Sequence, residues 1–314
     1  MLQLIVPPRN RIAAFTVNWN NAEDTIDCLN SLLSCEIPLD VYVVDNASKD
    51  NSLTRIKSNF SDLNIIESDK NLGFSGGANL ALREIISKGY NRILSINNDA
   101  TLSLGTISKL SQILDRDDSI GMISPWIVYP DTNEIWFAGG RYLSWIGMTM
   151  HEKKGKQLPS RRKDSAVDSG YVCGCCVLYR SELLVDVGLF DENLFMYGED
   201  LEHSLNSIRR GWRICTLPSV VIEHNASSST GSDNSKKFSI FRAYYYARNP
   251  ILVLHSSPFS IRKYVALFSQ LAIALPYSLL IMISEGTLNS FPNYLRGLFD
   301  GYRGIGGKVV SMEE

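Results

Sequence analysis

The sequence predicts an α/β chain: a mostly parallel sheet with helices on both faces, followed by an apolar helical C-terminal region. Three features carry that expectation. Near-continuous apolar runs alternate with amphipathic segments over the first 120 residues. Strands buried on both faces read as such runs, and their alternation with helices marks parallel strands joined by crossovers. Beyond residue 238 the chain turns helical and apolar, with no charged residue at all over 264–284.

Residues 12–17 form the first apolar run and the first expected strand. Ile26, Leu29, Leu32 and Leu33 then recur at helical spacing, behind Glu23 and Asp24, anions that a helix N-terminus favours. Residues 41–44 are the second strand, and Asn46, Ser48 and Asp50 supply turn and cap chemistry before a helix starting near Asn51. Residues 65–66 mark a short third strand. The stretch 71–79 reads as a Gly-rich turn feeding a helix over 78–88, which Gly89 stops. Residues 93–96 are the fourth strand, and another helix begins near Thr106. Later, Glu199 and Asp200 open a helix that reaches Arg210 and ends at Gly211, and residues 220–224 form a further strand.

Composition limits the function classes. A chain of 314 residues, 45% hydrophobic and 20% charged, is globular and accommodates two domains or one large domain with an appendage. Thirty-one Lys+Arg against 33 Asp+Glu give a net charge of −2, too balanced for a nucleic-acid partner. Six cysteines lack the even spacing of a disulfide scaffold. Pro7, Pro8, Arg9 and Arg11 break the apolar N-terminus before a signal-peptide core is complete, so a cytosolic chain with reduced thiols is expected. Cys173, Cys175 and Cys176 fall on an expected strand, where adjacent side chains diverge; small pocket-lining residues are favoured over a zinc site.

Three segments stand apart from this alternation, and two of them keep more than one reading. The basic run 151–163 is a solvated mobile loop or a contact for an anionic membrane or diphosphate. The Ser-rich run 226–237 reads as a flexible loop. Residues 264–284 are long enough to span a bilayer, yet Gln270 and Pro276 interrupt them, so an interfacial helix or hairpin and a buried core helix stand beside a true span.

In open parallel sheets, ligands collect at the carboxyl ends of strands. Three expected strand ends here are polar: Asn18-Trp19-Asn20, Asp45-Asn46-Ala47-Ser48 and Asn97-Asn98-Asp99. An ionised Asp45 can accept hydrogen bonds from a base or ribose, or brace a turn or helix cap. Asp99 can offer a hard oxygen to Mg²⁺ or Mn²⁺, or cap the following helix. Glu199-Asp200 either caps its helix or supplies a general base, with Glu202 orienting or pairing with a neighbour. His224 ends a strand beside a polar loop, within range of a metal or diphosphate.

Taken in order, Val43-Val44-Asp45-Asn46-Ala47-Ser48-x-Asp50, Asn71-x-Gly73-Phe74-x-Gly76-Gly77-x-Asn79, Asn97-Asn98-Asp99, Gly188-x-Phe190-Asp191-Glu192 and Tyr197-x-Glu199-Asp200 resemble the family 2 inverting glycosyltransferases. The resemblance covers about residues 12–250. It implies a nucleotide-binding α/β domain of the GT-A type over 1–237, with a donor half about 12–120 and an acceptor half about 121–237. The remainder, 238–314, is then a membrane-associated helical region. Tyr245-Tyr246-x-Arg248-Asn249 and Gly297-Leu298-x-Asp300-Gly301 narrow the match to bacterial rhamnosyltransferase-like enzymes of surface-polysaccharide assembly.

By that resemblance Asp45 holds the nucleoside, and Asn18, Asn20, Asn71, Gly73, Asn79 and Asn97 belong to the donor site, with Arg248 facing the diphosphate. Asp99 and His224 hold Mg²⁺ or Mn²⁺, Asp200 is the base, and Glu199 and Glu202 orient the acceptor. Asn97 stands where the family's metal motif begins with Asp. The implied donor is dTDP-rhamnose, with UDP-hexoses next. The implied acceptor is a saccharide or lipid-linked saccharide at the inner membrane surface. A nucleotidyltransferase would want a basic phosphate-gripping loop after the first strand, which residues 18–21 lack. A non-catalytic sugar-nucleotide-binding protein would not need Asp200.

Overall fold

The computed structural model describes residues 11–225 and 238–309; the N-terminal apolar run and the Ser-rich 226–237 segment lie outside the described residues. The chain begins with β1 (Ile12–Asn18), α1 (Ala22–Leu33), β2 (Leu39–Asp45), α2 (Ser52–Asn59), β3 (Asn64–Glu67), α3 (Gly73–Ser87) and β4 (Arg92–Ile96). Strands β3, β2, β1 and β4 pair in that order, all parallel. Side chains alternate across this sheet. Ala14 and Val43 pack toward Leu29, Leu32 and Ile56 of α1 and α2. Phe15 and Tyr42 pack toward Ala81, Leu82 and Ile85 of α3. Leu33, in the apolar repeat of α1, is half exposed because it lies past the stripe that meets the sheet.

The second half extends the same sheet. After β5 (Ala100–Thr101) and α4 (Thr106–Arg116) come β6 (Ile120–Val128), β7 (Ile135–Phe137) and a separate hairpin of β8 (Gly140–Leu143) and β9 (Met148–His151). Then follow β10 (Val167–Asp168), β11 (Cys176–Arg180), α5 (Ser181–Val187), α6 (Glu199–Arg209) and β12 (Arg213–His224). β11 runs antiparallel between β4 and β6, and β12 lies parallel to β6. The result is the expected α/β class with a mostly parallel central sheet.

Two local expectations need correction. The Gly-rich stretch is not a turn: α3 already starts at Gly73. Gly73 has φ +71°, and a Cβ there would sit 2.1 Å from the Phe195 carbonyl oxygen; one on Gly77 would lie 3.0 Å from Val17 Cγ1. These glycines are close-approach residues inside a helix. Cys173 and Cys175 are not on a strand either, since β11 begins at Cys176 and they form the turn before it.

Four helices complete the described chain: α7 (Ile240–Ser256), α8 (Ile261–Ser269), α9 (Leu275–Glu285) and α10 (Phe291–Tyr302). α10 packs along α7, where Gly297 and Gly301 let the two backbones meet closely. A π-type turn over Gln270–Ala274 joins α8 to α9 into one rod, Ile261–Glu285. Pro276 has no N–H to give the carbonyl four residues back, and a π turn there absorbs the mismatch. Only a third of the rod's apolar window is buried, which removes the core-helix reading. Its buried side holds Gln270, Ala274, Ser278 and Met282, four residues apart. The Gln270 amide donates to the Ile146 carbonyl (2.8 Å), fastening the rod to the β8–β9 hairpin. The basic run is partly pinned as well: His151 ends β9, and Arg162 donates to the Pro218 carbonyl (3.0 Å).

Candidate active site

The parallel register places Asn18 beside Asp45 at the carboxyl ends of β1 and β2. The Asn18 amide donates to Asp45 Oδ1 (2.9 Å) and reaches the hydroxyls of Ser48 and Ser52. Its oxygen accepts from Thr25 Oγ1 (2.8 Å). Asp45 Oδ2 accepts from the Ser48 N–H, bracing the turn, which leaves lone-pair capacity on both oxygens. Asn20 accepts from the Lys49 N–H (2.7 Å). Asn18 and Asn20 thus both bond within the rim of the sheet. Asn79 likewise bonds within the chain. Its amide donates to the Phe190 carbonyl and Glu192, and its oxygen accepts from the Phe190 N–H, so it clamps α3 to that segment. Gly73 also serves the contact with Phe195.

A cavity of about 1220 Å³ opens beside the rim. Asn46, Asn71 and Asn97 line it from the sheet, Glu199 and Asp200 from the start of α6, His224 from the end of β12, and Gln270 and Tyr277 from the rod. The Asn46 amide donates to the Gly73 carbonyl (3.0 Å) and its oxygen accepts from the Leu72 N–H (2.9 Å), fixing the Asn71 loop at the cavity edge.

Pairing of β5 with β12 brings the end of the Asn97-Asn98-Asp99 segment beside His224. Nε2 of His224 lies 3.1 Å from Oδ1 of Asp99, both side chains being almost wholly buried. The contact is not aligned as a hydrogen bond, and neither ring nitrogen of His224 makes one among the described residues. Two atoms bound to one ion at right angles, with bonds of about 2.1 Å, are about 3 Å apart. The pair thus has the spacing and the mixed N/O character to hold a divalent ion such as Mn²⁺. No third His, Cys, Asp or Glu joins them among the described residues, so ligand oxygens and water would fill the other positions. Asp99 is not a cap: α4 starts behind Gly105, in the left-handed region at φ +81°.

α6 starts just behind Gly198, φ +90°, and its first two residues, Glu199 and Asp200, line the cavity. Asp200 accepts from the backbone N–H of Gly174 (Oδ2, 3.2 Å) and of Leu201 (Oδ1, 2.7 Å). Oε2 of Glu199 is buried with no hydrogen bond among the described residues. Burial, then the Asp200 charge, pushes the Glu199 carboxyl up to about 8. Burial raises Asp200 too, but its N–H donors pull it back. Burial raises both carboxyls and each charge disfavours the other, so the two titrate as a coupled pair.

Two further placements differ from expectation. Glu202 is not among the residues lining this cavity and accepts from the Asn206 amide within α6. Arg248 is fully buried on α7. Its guanidinium donates to Asn249 Oδ1 and to the carbonyls of Gly307, Asn193 and Leu194, stacked between Tyr244 and Tyr245. With its nitrogens engaged in this way it fastens α7 to the segment before α6. Conversely, the cavity wall includes Trp136, His151 and Tyr171, which no sequence pattern marked. The Trp136 ring lies between His224 (4.6 Å) and His151 (5.0 Å).

Comparison with known proteins gives the family and the fold. The family model described as Glycosyl transferase family 2 matches residues 13–188. The N-acetylglucosaminyl-diphospho-decaprenol L-rhamnosyltransferase of Mycobacterium tuberculosis is 25% identical over 219 residues, 64% of this chain and 71% of that one. The dTDP-rhamnosyl transferase RfbF of Shigella flexneri is 24% identical over 277 residues, 85% and 87% of the two chains. The mannosyltransferase PcManGT from Pyrobaculum calidifontis, solved with GDP-Man and Mn²⁺, superposes with a TM-score of 0.56 at 16% identity. It covers 96% of this chain and 77% of its own, a likeness of fold. The family match runs from β1 through α5, taking in the rim, Asp99 and the Gly174 turn that holds Asp200, and with it the chain belongs to glycosyl transferase family 2, a hexosyltransferase that draws its sugar from a nucleotide-sugar.

Proposed function

We propose that the protein transfers rhamnose from dTDP-rhamnose, with inversion, to a saccharide carried on a lipid diphosphate at the cytoplasmic face of a membrane. The observation that carries this reading is that Asp200, held by the N–H groups of Gly174 and Leu201, and His224, beside Asp99, line one cavity at the rim of the sheet. The named activities of the Mycobacterium and Shigella relatives support the choice of sugar.

Asp45 accepts from the nucleoside, and Asn46 and Asn71 shape the donor end. Asp200 takes the proton of an acceptor hydroxyl as that oxygen attacks C1 on the face opposite the nucleotide; the C1–O bond breaks and its electron pair leaves with the diphosphate. Base assistance of this kind is worth about 10²–10⁴-fold. Asp99 and His224 would hold Mn²⁺ or Mg²⁺, which when bound neutralises charge on the diphosphate. Glu199, protonated, keeps a second negative charge from Asp200.

The rod lies in the membrane surface rather than across it. Tyr264, Phe268, Leu280 and Ile283 are more than half exposed, while Gln270, Ala274 and Ser278 of the same rod face the cavity, which lipid cannot surround. Incubating purified protein with dTDP-rhamnose and UDP-hexoses, with and without EDTA, tests the reading. Transfer from dTDP-rhamnose that needs Asp200 supports it; transfer from a UDP-hexose alone replaces the donor, and transfer by Asp200→Asn at the wild-type rate overturns the mechanism.

A further inference from the structure

The β8–β9 hairpin and Tyr171 build a polar wall that the chemistry above does not use. Gly140 of β8 pairs with His151 of β9 and bridges to Tyr171. A Cβ on Gly140 would lie 2.2 Å from Tyr171 Cε1, so the tyrosine ring rests directly on that backbone. The ring is 3% exposed and lines the cavity, and its hydroxyl makes no aligned hydrogen bond among the described residues, although Thr149 of β9 lies beside it. Asp200 is close enough for its charge to disfavour ionisation of this hydroxyl.

Nδ1 of His151 is 3.1 Å from the Trp136 carbonyl oxygen. A carbonyl only accepts, so Nδ1 carries the proton and Nε2 presents a lone pair. No described residue occupies Nε2, and the ring lines the same cavity. The Trp136 indole packs edge-on against both His151 and His224. Aromatic faces with a fixed acceptor and a fixed hydroxyl are suited to a pyranose, whose ring stacks while its hydroxyls bond.

We propose that His151 and Tyr171 form the acceptor-sugar subsite: His151 Nε2 accepts from one hydroxyl of a pyranose, Tyr171 bonds a second, and a third is thereby presented to Asp200. Both are positioning residues. The assignment rests on the glycosyltransfer reading. It falls to the acceptor rather than the donor sugar because Asn46, Asn71 and Asn97 occupy the donor rim, whereas the hairpin is tied through Ile146 to Gln270 of the rod. That is the side from which a lipid-borne acceptor arrives.

The test uses dTDP-rhamnose with hexoses and N-acetylhexosamines joined through diphosphate to a short alkyl chain. Donor hydrolysis without acceptor is measured in parallel. Tyr171→Phe keeps the ring. His151→Asn keeps an N–H near the Nδ1 position and removes Nε2, whereas His151→Gln restores an acceptor near Nε2. Tyr171→Phe and His151→Asn are expected to raise acceptor KM at least about 10-fold, with donor KM and donor hydrolysis within about twofold, and His151→Gln to recover most of the loss. Unchanged acceptor KM, a rise in donor KM instead, or parallel loss of hydrolysis overturns the subsite. Wild-type protein that neither hydrolyses nor transfers overturns the glycosyltransfer reading itself.

Discussion

Nε2 of His224 lies 3.1 Å from Oδ1 of Asp99, and the pairing of β5 with β12 brings them together. If both atoms bind one ion, removing either weakens it. Asp99→Asn and His224→Ala are each expected to raise the Mn²⁺ concentration for half-maximal transfer by at least about 10-fold. Activity titrations after EDTA treatment measure this, with Mn²⁺ binding by calorimetry as the independent readout. Equal metal requirement in all three proteins would remove the pair from the metal site.

Asp200→Asn retains the shape of the side chain and loses the base. Its kcat is expected to fall by about 10²–10⁴-fold with donor KM little changed, read in initial-rate assays. A change confined to KM would make Asp200 a binding residue.

Glu199 gives a pH signature. Its carboxyl, raised from 4.5 to about 8 in the folded chain, holds its proton after the unfolded chain has lost its own. The stability it confers is full below pH 4.5 and drains away as pH rises toward 8, by several kcal/mol on an order-of-magnitude basis. Glu199→Gln should flatten the decline of Tm between pH 5 and 8. Thermal melts across that range check it, and parallel slopes in variant and wild type would refute it.

Arg248→Lys keeps the charge but strands carbonyls of Asn193, Leu194 and Gly307 that the guanidinium serves. A loss of about 2–4 kcal/mol in denaturant unfolding is expected, with donor KM unchanged at permissive temperature. A raised donor KM without destabilisation would return Arg248 to the diphosphate.

Phe268→Glu with Leu280→Glu places two charges on the exposed side of the rod. The variant should shift from the pellet to the supernatant when sedimented with anionic lipid vesicles, its Tm unaltered. Retention at the wild-type level would exclude that face from the lipid contact.

The strand–helix alternation from β1 through α4 was legible because doubly buried strands and single-sided helices leave opposite periodicities. The start of α3 was not. Gly73, Gly76 and Gly77 spell a turn locally, and their real partners, Phe195, Leu72 and Val17, include residues far along the chain. Polar residues at strand ends signalled the rim correctly as a place. They did not reveal which of them bond within the chain, as the Asn18 amide does to Asp45. Arg248 sits on a helix whose burial depends on α10, and no local pattern reports that. His151 headed a basic run and read as loop because Trp136, Gly140 and Tyr171, which give it a setting, converge only after the hairpin forms.

The amide of Gln270 ties the rod to the turn of the β8–β9 hairpin. Any force that tilts the rod is thereby passed to the strand that carries His151. Whatever repositions the rod should therefore tug on the far wall of the cavity, so that its exposed apolar side and the site move as one piece.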